Sequence, residues 1–261
     1  MEPAYLPRSI KGDRIFSLII PTYNEEKIIR QTIEKVMRSL KNFGNGYELI
    51  ISDDCSKDKT VEIVKGMKKR YKNLRLIENS VNRGRGEAVS EAFLKARGDI
   101  LAFMDADLST DLEHLPSLAS YIQDGFDISI GSRWKNRKNV YRTRFRMFTS
   151  FLYNNFVKIT FESKIDDHEC GFKSFKKDVF LDLVNRVGIK ESNERGVAWD
   201  TEVLVEAQRR GYKIKEFPVK WKESKKSEIK ILKEGIKVFK HLSHLRIKYF
   251  KDDIFRSSNQ N

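Results

Sequence analysis

The stretch LAFMDADLST, residues 101–110, stays apolar for four positions and then places Asp105 and Asp107 one residue apart. On an extended segment, residues i and i+2 share a side, so both carboxylates can be aimed into one cleft. Two such acids without a counter-charge repel, and one would be driven to hold a proton. A divalent cation removes that conflict. Hard carboxylate oxygens suit Mg2+ or Mn2+, with water and phosphate oxygens filling the remaining positions. On spacing alone a second reading stands equal to it: Asp107 caps a helix that begins near residue 111.

Other stretches carry the same kind of residues. Asp53, in DDCS (53–56), ends an apolar run and either accepts hydrogen bonds from a nucleobase or ribose or stabilises a turn. NRGRGEAVSEAF (82–93) has Gly84 and Gly86 but lacks the third small residue of a dinucleotide fingerprint. It reads as a glycine-containing turn into an amphipathic helix, bringing Arg83 and Arg85 to where they meet phosphate or stay solvated. Arg133, and Arg142, Arg144 and Arg146 at spacing two, are cations to set against the acids. A diphosphate leaving group calls for both signs of charge around it. His168 lies among Asp166, Asp167 and Glu169, yet the chain has only four histidines and no HxxxH spacing, which argues against a structural metal site.

Positioning these groups requires a regular frame. IFSLII (15–20), YELIIS (47–52), LRLIE (74–78), DILAFM (99–104) and DISIGS (127–132) are short, apolar and without strict alternation. Strands buried on both faces have that pattern. Helical periodicity fills the gaps at about 24–41, 58–71, 85–97 and 111–124, and a βαβα order predicts a mostly parallel sheet covered on both faces. Ligands of such sheets bind beyond the carboxyl ends of the strands. PTYNEE (21–26), DDCSKD (53–58), DADLST (105–110) and GSRW (131–134) all follow strands, so four strand ends on one rim carry polar or charged groups. Further on, helices are expected over 140–161, 176–186 and 199–210, with a short extended segment at 168–175. YKIKEFPVKW (212–221) is strand-like, and Pro218 favours a sheet edge.

The 261 residues suffice for one large α/β domain. Two cysteines, Cys55 and Cys170, make no disulfide framework, so a reducing, cytoplasmic setting is expected. MEPAYLPRSIKGDR has no long apolar region of the signal-peptide kind. The formal charge of +14 is concentrated late: residues 220–251 hold eleven Lys and Arg against three Glu. There Ile229, Leu232, Ile236, Phe239 and Leu242 recur at helical spacing among lysines, as in a helix lying on an anionic membrane or packed on a core. A nucleic-acid-binding role predicts more interleaved aromatics and leaves the acidic rim unexplained. The expected division is 1–226 catalytic and 227–261 a basic, membrane-surface helix.

In this order, PTYNEE, DDCSKDKT, NRGRGEAV, DADLST, GSR, DHECGFKSF and WDTEVL resemble the family 2 glycosyltransferases, most closely the dolichyl-phosphate glucose and mannose synthases. The resemblance covers about residues 15–225. It implies a GT-A fold, an α/β architecture with a mostly parallel central sheet and helices on both faces. It also implies a nucleotide-sugar donor, a polyprenyl (dolichyl) phosphate acceptor, transfer with inversion and a peripheral place on the cytosolic face of a membrane. Carried over to this sequence, Pro21, Tyr23, Glu25, Asp53 and Arg85 bind the donor, and Asp105 and Asp107 hold Mg2+ or Mn2+ on the diphosphate. Arg133 and Arg146 engage phosphate, and Asp167, Gly171, Asp200 and Glu202 fall at the acceptor or sugar site. CGFK and WDTE look more like the glucose branch and favour UDP-glucose over GDP-mannose. Ser109 and Thr110 stand where the mannose enzymes have Gln-His, so the resemblance carries over no third protein ligand for the metal. A hydroxyl acceptor is the alternative within the family and would need a carboxylate base.

Overall fold

A computed structural model of the chain describes residues 15–43, 46–188, 198–223 and 231–258, the last segment's side chains over 235–252. The first half alternates strand and helix: β1 (Phe16–Thr22), α1 (Ile29–Leu40), β2 (Tyr47–Asp53), α2 (Thr60–Lys68), β3 (Leu74–Glu78), α3 (Arg85–Lys95), β4 (Ile100–Met104), α4 (Leu115–Gln123) and β5 (Ile128–Ser132). A two-residue strand β6 (Val140–Tyr141) leads into α5 (Arg144–Phe161), followed by β7 (Phe172–Lys176), α6 (Lys177–Val187) and α7 (Trp199–Arg209). The chain continues through β8 (Ile214–Pro218), β9 (Trp221–Lys222) and α8 (Ile231–Ser258).

Seven strands form one sheet in the order β3-β2-β1-β4-β7-β5-β8, while β6 pairs with β9. Neighbours are parallel except around β7, which runs antiparallel to both β4 and β5. The extended segment expected at 168–175 is therefore an interior strand. Its central sheet position comes from the fully buried Phe172 and Phe175, which point to opposite faces. Side-chain alternation divides the interior. Phe16, Leu18 and Ile20 of β1 pack with α1, α2 and α4, and Ile19 packs with α3, α6 and α7. Two apolar faces explain why the strands read as continuous apolar runs. Pro218 closes β8 at the sheet edge, where its missing N–H interrupts no inner ladder.

Helix α8 is docked on the body. Val238, Leu242, Leu245 and Tyr249 are buried with Val157 of α5, Val205 of α7 and Ala198. Of the expected stripe, Leu242 thus faces the core whereas Ile236 and Phe239 are exposed. Ile229 and the expected boundary at 226/227 lie outside the described residues, as does the side chain of Leu232. Among the described residues, no helix is long and apolar enough to cross a membrane.

Candidate active site

The sheet reverses its winding at β1, which has β2 on one side and β4 on the other. Open α/β sheets form their ligand crevice at that reversal, beyond the strands' carboxyl ends. There a cleft of about 380 Å3 is lined by Pro21, Thr22, Tyr23 and Glu25 after β1, Asp54 after β2, and Asp105, Ala106, Asp107 and Ser109 after β4. Arg85, Arg146, Trp221 and Glu223 complete the walls. Each of the three loops holds one non-glycine residue in the left-handed region: Asn24 (φ 56°), Cys55 (φ 64°) and Leu108 (φ 53°). Strain of this kind persists only where surroundings enforce it, and it collects at functional sites. The first two loops enforce it mutually. Asn24 N–H donates to Ser56 Oγ (2.9 Å), and Lys57 N–H donates back to Asn24 Oδ1 (2.7 Å).

Asp53 takes the turn role rather than the donor-binding one. Its buried carboxylate accepts from the Ser56 amide (2.9 Å) and hydroxyl (2.5 Å). Its neighbour Asp54 reaches the cleft, because successive residues at a strand end point to opposite sides. Asp54 also accepts from the amides of Arg83 (3.0 Å) and Gly84 (2.7 Å). Gly84 has φ 98°, a conformation that glycine adopts without penalty. That turn starts α3 and aims Arg85 into the cleft, while Arg83, ahead of the helix, pairs with the buried Glu87.

Asp105 and Asp107 both face the cleft, and Asp107 does not cap the following helix. Asp111 caps the 3-10 turn Leu112–His114 that leads into α4, accepting from the Glu113 amide at 3.0 Å, while Asp107 accepts from the Ser109 amide (3.0 Å) and hydroxyl (2.8 Å). Gly171 lies directly beneath Asp105: its carbonyl accepts the Asp105 amide at 3.1 Å, and a Cβ there would come within 2.1 Å of Asp105 Oδ2. The donor set of two hard carboxylates with open space beside them fits Mg2+ or Mn2+ sharing its shell with phosphate and water. Among the described residues no third His, Cys, Asp or Glu gathers with them. Gly171→Ala is expected to displace the Asp105 carboxylate and slow transfer on the order of a hundredfold. Stability should fall by only about 1–3 kcal/mol. Steady-state kinetics beside thermal melts will check both.

From Asp105 a charged row runs from the cleft into the interior. Arg85 Nη1 donates to Asp105 Oδ1 at 3.0 Å, and its Nη2 donates to Asp200. Asp200, 1% exposed, also accepts from Lys173 Nζ at 3.0 Å. Burial pulls the Lys173 ammonium pKa down from its ordinary value. Asp200 is thus brought to the site as an anchor for Arg85. Glu202, two residues on, faces away, its carboxylate 3.4 Å from His241 of α8.

Arg133 is not available to the diphosphate. Its guanidinium makes a two-pronged pair with Asp167 (Nε to Oδ2 2.7 Å, Nη2 to Oδ1 2.6 Å), and its amide binds the same carboxylate at 2.9 Å. Both side chains are buried, so the two expected site residues instead neutralise each other beside the cleft. Burial pushes the Asp167 carboxyl upward, and Arg133's charge and hydrogen bonds outweigh it, holding its pKa below the ordinary carboxylate range. Of the arginines at spacing two, Arg146 lines the cleft and pairs with Glu223. Arg142 instead stacks over Trp221, 5.5 Å from the ring centroid, with Nε buried and without a hydrogen-bond partner. His168 is structural. It contacts Ser163 Oγ (2.8 Å) and Asn154 Oδ1 (2.9 Å), and burial pulls its pKa down to about 3.

Sequence reasoning had missed Asp54, Trp221 and Glu223. Asp54 follows Asp53 directly in the DDCS motif. Trp221 and Glu223 arrive only through pairing of β9 with β6 and the bridge from Trp221 to Thr110, which no local signal announces.

A mostly parallel sheet, covered by helices on both faces and carrying paired carboxylates and arginines at its reversal point, is the architecture of the GT-A fold. The family profile described as glycosyl transferase family 2 matches residues 17–184. The chain is 35% identical over 221 residues to glycosyltransferase AglD of Haloferax volcanii, covering 84% of this chain and 35% of that protein. It therefore spans about a third of AglD. It is 33% identical over 231 residues to dolichyl-phosphate beta-glucosyltransferase ALG5A of Trichomonas vaginalis, covering 82% and 68% of the two chains. Glucosyl-3-phosphoglycerate synthase from Mycobacterium tuberculosis, solved with Mn2+, UDP and phosphoglyceric acid, shares the fold. Its TM-score is 0.68 at 16% identity, over 89% of this chain and 78% of that one. The chain belongs to glycosyl transferase family 2.

Proposed function

We propose that this chain transfers a hexose from a nucleotide sugar, UDP-glucose in preference to GDP-mannose, to a polyprenyl phosphate at the cytosolic face of a membrane. The observation that carries the reading is the cleft itself, where Asp105 and Asp107 stand on one wall and Arg85 and Arg146 on the others. The likeness to the dolichyl-phosphate beta-glucosyltransferase supports the acceptor and the sugar.

Asp105 and Asp107 would hold Mg2+ or Mn2+, which when bound offsets diphosphate charge. The protein's own groups do the rest. Tyr23, half exposed at the cleft mouth, offers a ring face to the nucleoside, and Asp54 offers a hydrogen-bond acceptor to it. Arg146, positioned by Glu223, presents a guanidinium to the departing nucleoside diphosphate as charge develops on it. An acceptor phosphate oxygen attacks the anomeric carbon while the bond to the diphosphate breaks, so one displacement inverts the configuration. A phosphate is anionic at neutral pH and needs no base. The salt-bridged Asp200 is correspondingly not poised as one.

A panel of UDP- and GDP-sugars assayed with a short polyprenyl phosphate tests the reading. UDP-glucose is expected to give the highest kcat/KM and a β-linked product from an α-linked donor. Transfer to sugar hydroxyls but not to the phosphate would overturn it.

A further inference from the structure

Helix α5 buries two polar residues beside Val157 on its inner side and turns apolar ones outward. Its inner side carries Ser150 and Asn154, each 4% exposed. Ser150 Oγ donates to Glu169 at 3.0 Å, and Asn154 Oδ1 accepts the His168 amide at 3.0 Å. Its outer side carries Phe145, Phe148, Leu152 and Ile159, separated by three, four and seven residues and 51–81% exposed. That spacing makes one helical stripe, where a water-facing helix would carry polar residues.

Helix α8 has two apolar stripes. One packs on the core, and the other presents Ile236, Phe239, Ile247 and Phe250, each more than half exposed. Phe156 of α5 meets Phe239 of α8 with ring centroids 4.5 Å apart, so the two outer stripes join into one surface. Lys240, Lys248 and Lys251 on α8 and Arg144 on α5 are exposed around it. An apolar body with a basic rim matches the headgroup boundary of an anionic bilayer. The surface also adjoins the cleft, since Arg146 follows Phe145 and lines it.

We propose that the outer stripes of α5 and α8 together dock on an anionic lipid bilayer, α5 supplying the apolar anchor nearest the cleft and α8 the basic rim. Docking of this kind rests on, and sharpens, the reading of the acceptor as a membrane lipid. It relocates the contact from the C-terminal helix alone to a two-helix surface.

Flotation of the full chain with phosphatidylcholine vesicles, with and without phosphatidylglycerol, tests it. The wild type should float with the anionic vesicles. Phe148→Glu with Leu152→Glu should lower the bound fraction roughly tenfold. Leu94→Glu, at an exposed apolar site on α3, should leave it unchanged. Without vesicles, the double variant should keep wild-type transfer to a short, water-soluble polyprenyl phosphate. Undiminished flotation of the double variant overturns the proposal. So does a wild type that fails to float but runs as a dimer that the double variant dissociates, because a second copy would then cover the face. A wild type that floats yet transfers to no polyprenyl phosphate supports the docking surface and defeats the acceptor reading instead.

Discussion

Replacing Asp107 with alanine is expected to lower sugar transfer on the order of a hundred- to a thousand-fold with Mn2+ present, while the protein stays folded. Asp107 lies in the cleft with Asp105, and the 3-10 turn Leu112–His114 that leads into α4 is capped by Asp111, so removing the Asp107 side chain leaves that turn intact. The side chain's other work is a local turn over Ser109, worth about 1 kcal/mol. A large catalytic loss with a small stability loss is therefore the signature of the metal-diphosphate role. A turn-forming acid would show the reverse. Mn2+ binding followed by paramagnetic resonance should weaken at least about tenfold in the same variant, since even outer-shell changes cost that much. Unchanged transfer by Asp107→Ala defeats the role assigned to the pair.

The Arg133–Asp167 pair predicts the opposite pattern. Asp167→Ala leaves a buried guanidinium with Glu169, 3.8 Å away, as its remaining acid, and should destabilise the fold by about 3–5 kcal/mol. Chemical denaturation at neutral pH measures that loss. The pH dependence has a definite sign. Asp167 has a lowered pKa in the folded state, so its contribution is fully present above about 3.9, the ordinary carboxylate value. It is lost as pH falls through the lower folded value. The gap between wild type and variant should accordingly be widest near neutrality and close in acid. A gap independent of pH, or a stable variant with abolished transfer, would return these residues to the diphosphate site.

Much of the frame was legible in the residues. Five short apolar runs became β1 to β5: β1, β2, β4 and β5 are buried on both faces and so are mostly apolar, while β3 at the sheet edge leaves Arg75 and Leu76 half-buried and Glu78 exposed. The acids after β1, β2 and β4 were legible because a parallel sheet sends those ends to one rim. Seven of the expected residues, Pro21, Tyr23, Glu25, Arg85, Asp105, Asp107 and Arg146, line one cleft.

What only the tertiary structure decided is where charged side chains turn and whom they meet. Asp53 and Asp54 differ by one residue, and strand-end alternation, invisible in composition, sends Asp53 into a turn and Asp54 to the cleft. Arg133 looked like a phosphate ligand until β5 and the 166–169 segment set it against Asp167, where a buried charge is stable only if paired. Trp221 and Glu223 reach the cleft through pairing between strands some eighty residues apart in sequence. The pair first met in LAFMDADLST could be recognised as a candidate site from its spacing. That it shares a cleft with Arg146, and rests on a glycine that leaves Asp105 its room, is fixed by long-range packing alone.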